Sequence, residues 1–121
     1  MKGTILIVED NDVVRSSLQD WLSATFPECT FQMVKSGEEA VEKVANWPPT
    51  IVLMDIGLPG MNGIQATRMI KAASPETKVV MLTIYNDVEH RADASEAGAN
   101  AYLSKSKMHS ELVPLMKRLL S

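Results

Sequence analysis

Three uninterrupted apolar runs punctuate the chain: Ile5-Leu6-Ile7-Val8, Ile51-Val52-Leu53-Met54 and Val79-Val80-Met81-Leu82. A weaker fourth, Ala101-Tyr102-Leu103, follows. A strand with one wet face alternates polar and apolar residues. A strand with no polar position is covered on both faces, which is the condition of a parallel sheet between two layers of helix. A fifth segment, Thr30-Phe31-Gln32-Met33-Val34, alternates and reads as a strand toward one sheet edge.

Helical periodicity fills the intervals. Val14, Leu18, Trp21 and Leu22 place an inward face on a helix from near Asp12 to Thr25, closed by Pro27. Glu9-Asp10 or Asp12 could cap it. Ser36-Gly37-Glu38-Glu39 has the spacing of a capping box and opens a helix with Val41 and Val44 inward, stopping before Pro48-Pro49. Asn62-Gly63-Ile64-Gln65 repeats that spacing and starts a helix through Ile70 to about Ala73. A fourth helix, about Asp87–Ala97, is thin in apolar residues, with Val88, Ala92 and Ala97 at best, and Gly98 suits the position after its end. The last helix presents Leu112, Leu115, Met116, Leu119 and Leu120, while Pro114 calls for a start near Ser110 or a kink. Five strand-helix units with right-handed crossovers give a five-stranded parallel doubly wound α/β sheet with five helices, in the common strand order 2-1-3-4-5.

At 121 residues the chain holds one domain, residues 1–121. The single Cys29 permits no internal disulfide, reads as inert and points to a reducing, cytoplasmic compartment. The net charge of −3 argues against nucleic-acid binding by this domain itself, and no apolar stretch spans a membrane. His90 and His109 lie too far apart, with too few cysteines, for a zinc site.

Ligands of open parallel sheets bind beyond the carboxyl ends of the strands. In the order 2-1-3-4-5, the ends carrying Glu9-Asp10, Asp55, Thr83 and Lys105 stand in one row. Strands lie about 4.8 Å apart, so Asp10 and Asp55 repel by roughly 3 kcal/mol at an effective dielectric near 20. Such a cluster holds a proton, a basic partner or a metal. Mg²⁺ is favoured over Ca²⁺, which takes more protein oxygens than this loop offers. The four-carbon stem of Lys105 can aim an ammonium at Asp55. A metal, a lysine and a hydroxyl around one carboxylate suit phosphoryl transfer, with Asp55 as nucleophile forming an acyl phosphate. Taken singly, each residue has a plainer reading: Asp55 as a helix cap, Lys105 as a surface lysine, Thr83 as a strand residue, Tyr102 as core. Their combination on four strand ends outweighs these.

The motifs Leu6-Ile7-Val8-Glu9-Asp10, Met54-Asp55-Ile56-Gly57-Leu58-Pro59-Gly60-Met61-Asn62-Gly63, Leu82-Thr83 and Ala97-Gly98-Ala99-Asn100-Ala101-Tyr102-Leu103-Ser104-Lys105 resemble those of response regulator receiver domains along essentially the whole chain. The resemblance implies a flavodoxin-like fold and a phosphoacceptor, not a turnover enzyme. Asp55 would be phosphorylated by a sensor histidine kinase or phosphotransfer protein. It implies Mg²⁺ on Asp10, Asp55 and the Gly57 carbonyl, with Glu9 mainly through water, and phosphoryl oxygens bound by Thr83 and Lys105. Thr83 and Tyr102 would form the switch. The face of the fourth helix, fifth strand and fifth helix would then act on an output domain or downstream protein, transcription control being one output, and a phosphorylation-dependent dimer is compatible with it. Leu82-Thr83-Ile84-Tyr85 and Leu103-Ser104-Lys105-Ser106 look most like receivers joined to helix-turn-helix DNA-binding domains.

Three positions depart from the family pattern. Glu9 replaces the commoner aspartate. Ile84 is bulky where many receivers are small and could crowd an acyl phosphate. Ser106 stands where many carry proline in a cis peptide, and a trans bond is expected here. The alternative is a degenerate receiver serving as a phosphorylation-independent binding module. A Mg²⁺-dependent hydrolase using Asp-x-Asp is disfavoured because Gly57 occupies the second aspartate position. A flavin carrier is disfavoured because Glu9-Asp10-Asn11-Asp12 would repel a phosphate.

Overall fold

The computed structural model describes residues 2–84 and 88–121. Tyr85 and Asp87, the latter the expected start of the fourth helix, lie outside the described residues. The elements run β1 (Thr4–Val8), α1 (Asp12–Thr25), β2 (Thr30–Val34), α2 (Gly37–Asn46), β3 (Ile51–Met54), α3 (Gly63–Ala73), β4 (Lys78–Thr83), α4 (Val88–Glu96), β5 (Ala101–Ser104), a 3₁₀ turn (Lys105–Lys107) and α5 (Met108–Leu120). All strand pairs are parallel, in the order β2-β1-β3-β4-β5.

The period-two pleat divides each apolar run between two cores. Leu6, Val8, Val52, Met54, Val79 and Met81 pack on Ala40 and Val44 of α2, Ala66 and Ile70 of α3, and Ala94 of α4. Ile5, Ile7, Ile51, Leu53, Val80 and Leu82 pack on Leu18 and Leu22 of α1 and on Leu112 and Met116 of α5. Both faces are therefore dry, as the uninterrupted runs require.

Several helix details differ from expectation. The cap of α1 is Asn11, whose Oδ1 accepts from the Val14 N–H at 3.0 Å, and neither Glu9, Asp10 nor Asp12 fills that place. Val14 and Trp21 are half-buried, and the stripe of Leu18 and Leu22 also carries the buried Arg15. Asn62 and Gln65 form the full capping box. At α2 the Ser36 hydroxyl accepts from the Glu39 N–H and donates to the Glu39 carboxylate, both at 3.1 Å. In α4, Val88 and Ala92 point outward and Ala94 is the buried residue, with Ala97 buried just beyond the helix. Gly98 follows at φ +103°, a conformation that glycine adopts without strain. The α5 helix starts at Met108 and runs through Pro114, so a late start near Ser110 is not what is found. Among the described residues, no helix is long and apolar enough to cross a membrane.

Candidate functional site

The sheet register builds the site. Val8 pairs with Met54, so Glu9 stands level with Asp55, with Asp10 one residue beyond. The Asp55 N–H donates to the Val8 carbonyl at 3.3 Å, and the Glu9 N–H to the Val34 carbonyl at 3.2 Å. Thr83 pairs with Ser104, which delivers Lys105 to the same end of the sheet.

Three carboxylates meet there. One oxygen each from Glu9, Asp10 and Asp55 lies within 4.8 Å of the others. The side chains of Glu9 and Asp55 are only 4% and 12% exposed, while Asp10 is open to water. The Lys105 ammonium donates to Glu9 Oε1 at 2.9 Å and to Asp55 Oδ2 at 3.3 Å. The remaining oxygens are also engaged: Glu9 Oε2 accepts from the Asn11 N–H, and Asp55 Oδ1 from the Gly57 N–H, each at 3.1 Å. Burial pulls the Lys105 ammonium toward a lower pKa. The Glu9 hydrogen bond, the charges of Asp55 and Glu9, and the Asp55 hydrogen bond together outweigh it, and the net shift is upward. Lys105 is therefore charged at neutral pH.

The segment after β5 explains the position of Lys105. The Ser104 hydroxyl caps the 3₁₀ turn and lies 2.9 Å from the Ser106 hydroxyl. No peptide among the described residues is cis, as expected for Ser106. Thr83 is fully buried, and Ile84 directly after it is 75% exposed. Tyr102 is half-buried against the core, with the Arg91 guanidinium over its ring at 4.7 Å from the centroid. Gly57 lies exposed in the loop after β3. In the same loop Gly63 comes so close to the Asp55 peptide that a Cβ there would overlap the Asp55 carbonyl oxygen. Cys29 lies far along the sequence from these groups, and burial pushes its thiol pKa up, which suits the inert reading.

One residue escaped the sequence reading. Arg15 is buried behind the acidic cluster, where Nη1 donates to the Glu9 carbonyl at 2.9 Å and Nη2 to Asp12 Oδ1 at 2.5 Å. The helical period carried a signal, since 15, 18 and 22 share one stripe.

The donors are hard oxygens, partly buried and partly open to water. That chemistry fits Mg²⁺, which keeps several waters and uses one or two carboxylates, and it suits softer metals poorly. The carboxyl ends of a parallel doubly wound sheet thus carry an acidic pocket, a threonine and a lysine, which is the arrangement of a receiver-type domain. Residues 5–117 match the response regulator receiver domain, and the chain belongs to that family. It is 38% identical over 109 residues to the transcriptional regulatory protein LnrK of Bacillus subtilis strain 168, covering 90% of this chain and 50% of LnrK. A two-component response regulator of the LuxR family from Aurantimonas sp. SI85-9A1 superposes with a TM-score of 0.92 at 29% identity, covering 99% of this chain and 86% of that one. The BeF3-activated DrrB receiver domain superposes with a TM-score of 0.88 at 28% identity, covering 99% and 98%. The chain spans about half the length of the curated relatives it matches.

Proposed function

We propose that residues 1–121 form one receiver domain whose Asp55 accepts a phosphoryl group from a histidine kinase or phosphotransfer protein. The observation that carries this is the Asp55 carboxylate itself. It is shielded at the end of the central strand, 3.3 Å from an ammonium and clustered with two further carboxylates. An Asp55 oxygen attacks phosphorus and forms a C–O–P linkage. The N–P bond of the donor phosphohistidine breaks, its electron pair stays on the ring nitrogen, and that nitrogen takes a proton. Lys105 turns from Glu9 and Asp55 toward the phosphoryl oxygens, and the Thr83 hydroxyl donates to one of them. Asp10, Asp55, the Gly57 carbonyl and, through water, Glu9 would hold Mg²⁺, whose charge offsets that of the transferring group. Thr83 and Tyr102 pass the change to the α4-β5-α5 face, which acts on an output domain or partner, and the protein works in the cytoplasm.

DrrB is described as BeF3-activated, and beryllofluoride is accordingly the non-covalent probe for Asp55. Incubation with Mg²⁺ and a small acyl-phosphate donor should add one phosphoryl group by intact mass, labile to base and hydroxylamine, and absent in Asp55→Asn. No adduct together with no beryllofluoride binding would sink this reading in favour of a phosphorylation-independent module.

A further inference from the structure

The Glu9 carbonyl belongs to the peptide unit that joins Glu9 to Asp10. A peptide unit is planar, so fixing its oxygen fixes the orientation of the Asp10 N–Cα bond as well. Arg15 fixes that oxygen from inside the fold, through a 2.9 Å hydrogen bond from a side chain only 11% exposed. Asp10 itself is open to water, with no burial to hold its carboxylate toward Asp55. Its placement within the cluster therefore depends on its backbone. The second prong of Arg15 reaches Asp12 in the first turn of α1, where Lys35 also stands 4.0 Å away.

We propose that Arg15 is a positioning residue for cation binding: by holding the Glu9–Asp10 peptide it keeps the Asp10 carboxylate facing Asp55. The inference rests on the reading of this cluster as a Mg²⁺ site. It has a sign that a charge effect alone would not give. Removing a cation beside three carboxylates strengthens the binding of another cation by Coulomb's law. Removing a clamp weakens it, since groups that orient metal ligands from behind are worth 10–100-fold in affinity.

The test is calorimetric titration of Mg²⁺ into the unphosphorylated full chain, alongside thermal melts in excess EDTA. Arg15→Gln should bind Mg²⁺ about tenfold more weakly. Arg15→Lys keeps the charge and one donor and should recover part of the loss, and it serves as the working variant if Arg15→Gln melts below assay temperature. Asp12→Ala removes the second prong alone and should bind Mg²⁺ like the unmodified chain. Unchanged or tighter binding in both Arg15 variants overturns the proposal, as does an Asp12→Ala loss equal to that of Arg15→Gln. Absence of Mg²⁺ binding by the unmodified chain removes the metal reading itself, a result distinct from either.

Discussion

Gly63→Ala should destabilise this domain severely. A Cβ at position 63 would overlap the Asp55 carbonyl oxygen, and it would lie 2.8 Å from the Asp55 carbonyl carbon and 2.9 Å from Ile56 Cα. These are backbone atoms, and no side-chain rotation relieves the clash. The Gly63 N–H also bonds the Ile56 carbonyl at 3.1 Å, and its own carbonyl accepts from the Thr67 hydroxyl at 2.7 Å. The start of α3 therefore cannot retreat without breaking its bond to Ile56. Overpacking costs about 1–3 kcal/mol when neighbouring side chains can shift, and about 4 kcal/mol is a fair scale when the neighbours are backbone. Urea unfolding measures it, and a loss under about 1 kcal/mol would show that the α3 start yields freely. Any folded remainder should accept phosphate poorly, because the same clash displaces the Asp55 backbone.

Lys105→Met should destabilise the metal-free domain by about 2 kcal/mol. Removing one partner of a buried ion pair leaves its counter-charge uncompensated, at about 3–5 kcal/mol when the pair is fully buried. Here a quarter of the Lys105 side chain remains in water, which screens part of that. Saturating Mg²⁺ should restore more stability to the variant than to the unmodified chain, because the ion offsets the same carboxylates. The pH dependence has a definite sign. The folded-state pKa of Lys105 is raised above its ordinary 10.5. Its contribution is therefore complete below pH 10.5 and lost as pH rises through the higher folded value. Stability of the unmodified chain should carry this alkaline loss, and the difference between the two proteins should shrink there. Melting temperatures across pH 8–12 in EDTA, an interval chosen about that ordinary pKa, would show a constant difference if Lys105 contributes no charge.

The sheet was legible because a strand buried on both faces leaves an unusually plain trace. Thr30–Val34 and Ile51–Met54 are found at the expected limits, and β4 and β5 each extend by a residue or two beyond their apolar runs. The Asn62–Gln65 capping box and the Ser36 cap of α2 read correctly because their chemistry is local. The α1 cap did not, since Glu9, Asp10, Asn11 and Asp12 are all competent and the choice falls on whichever residue the register leaves at the turn. Here Glu9 is drawn into the site and Asn11 is left to cap. Pro114 misdirected the start of α5, because a single proline removes one internal hydrogen bond without ending a helix that packs through Leu112 and Met116. At the site, the meeting of Glu9, Asp10, Asp55 and Lys105 followed from strand order alone. The burial of Arg15 did not, since its partner is a backbone carbonyl that comes within reach only after the β1–α1 turn has closed.

The ion pairs around Lys105 also set an electroneutrality rule for the pocket. Three carboxylates and one ammonium leave a formal charge of two negatives. A divalent cation cancels it, a monovalent one leaves a residue, and a phosphoryl group arriving without a cation would deepen it. If the pocket takes a phosphoryl group as proposed, the valence of the cation beside it would decide whether that anion meets repulsion.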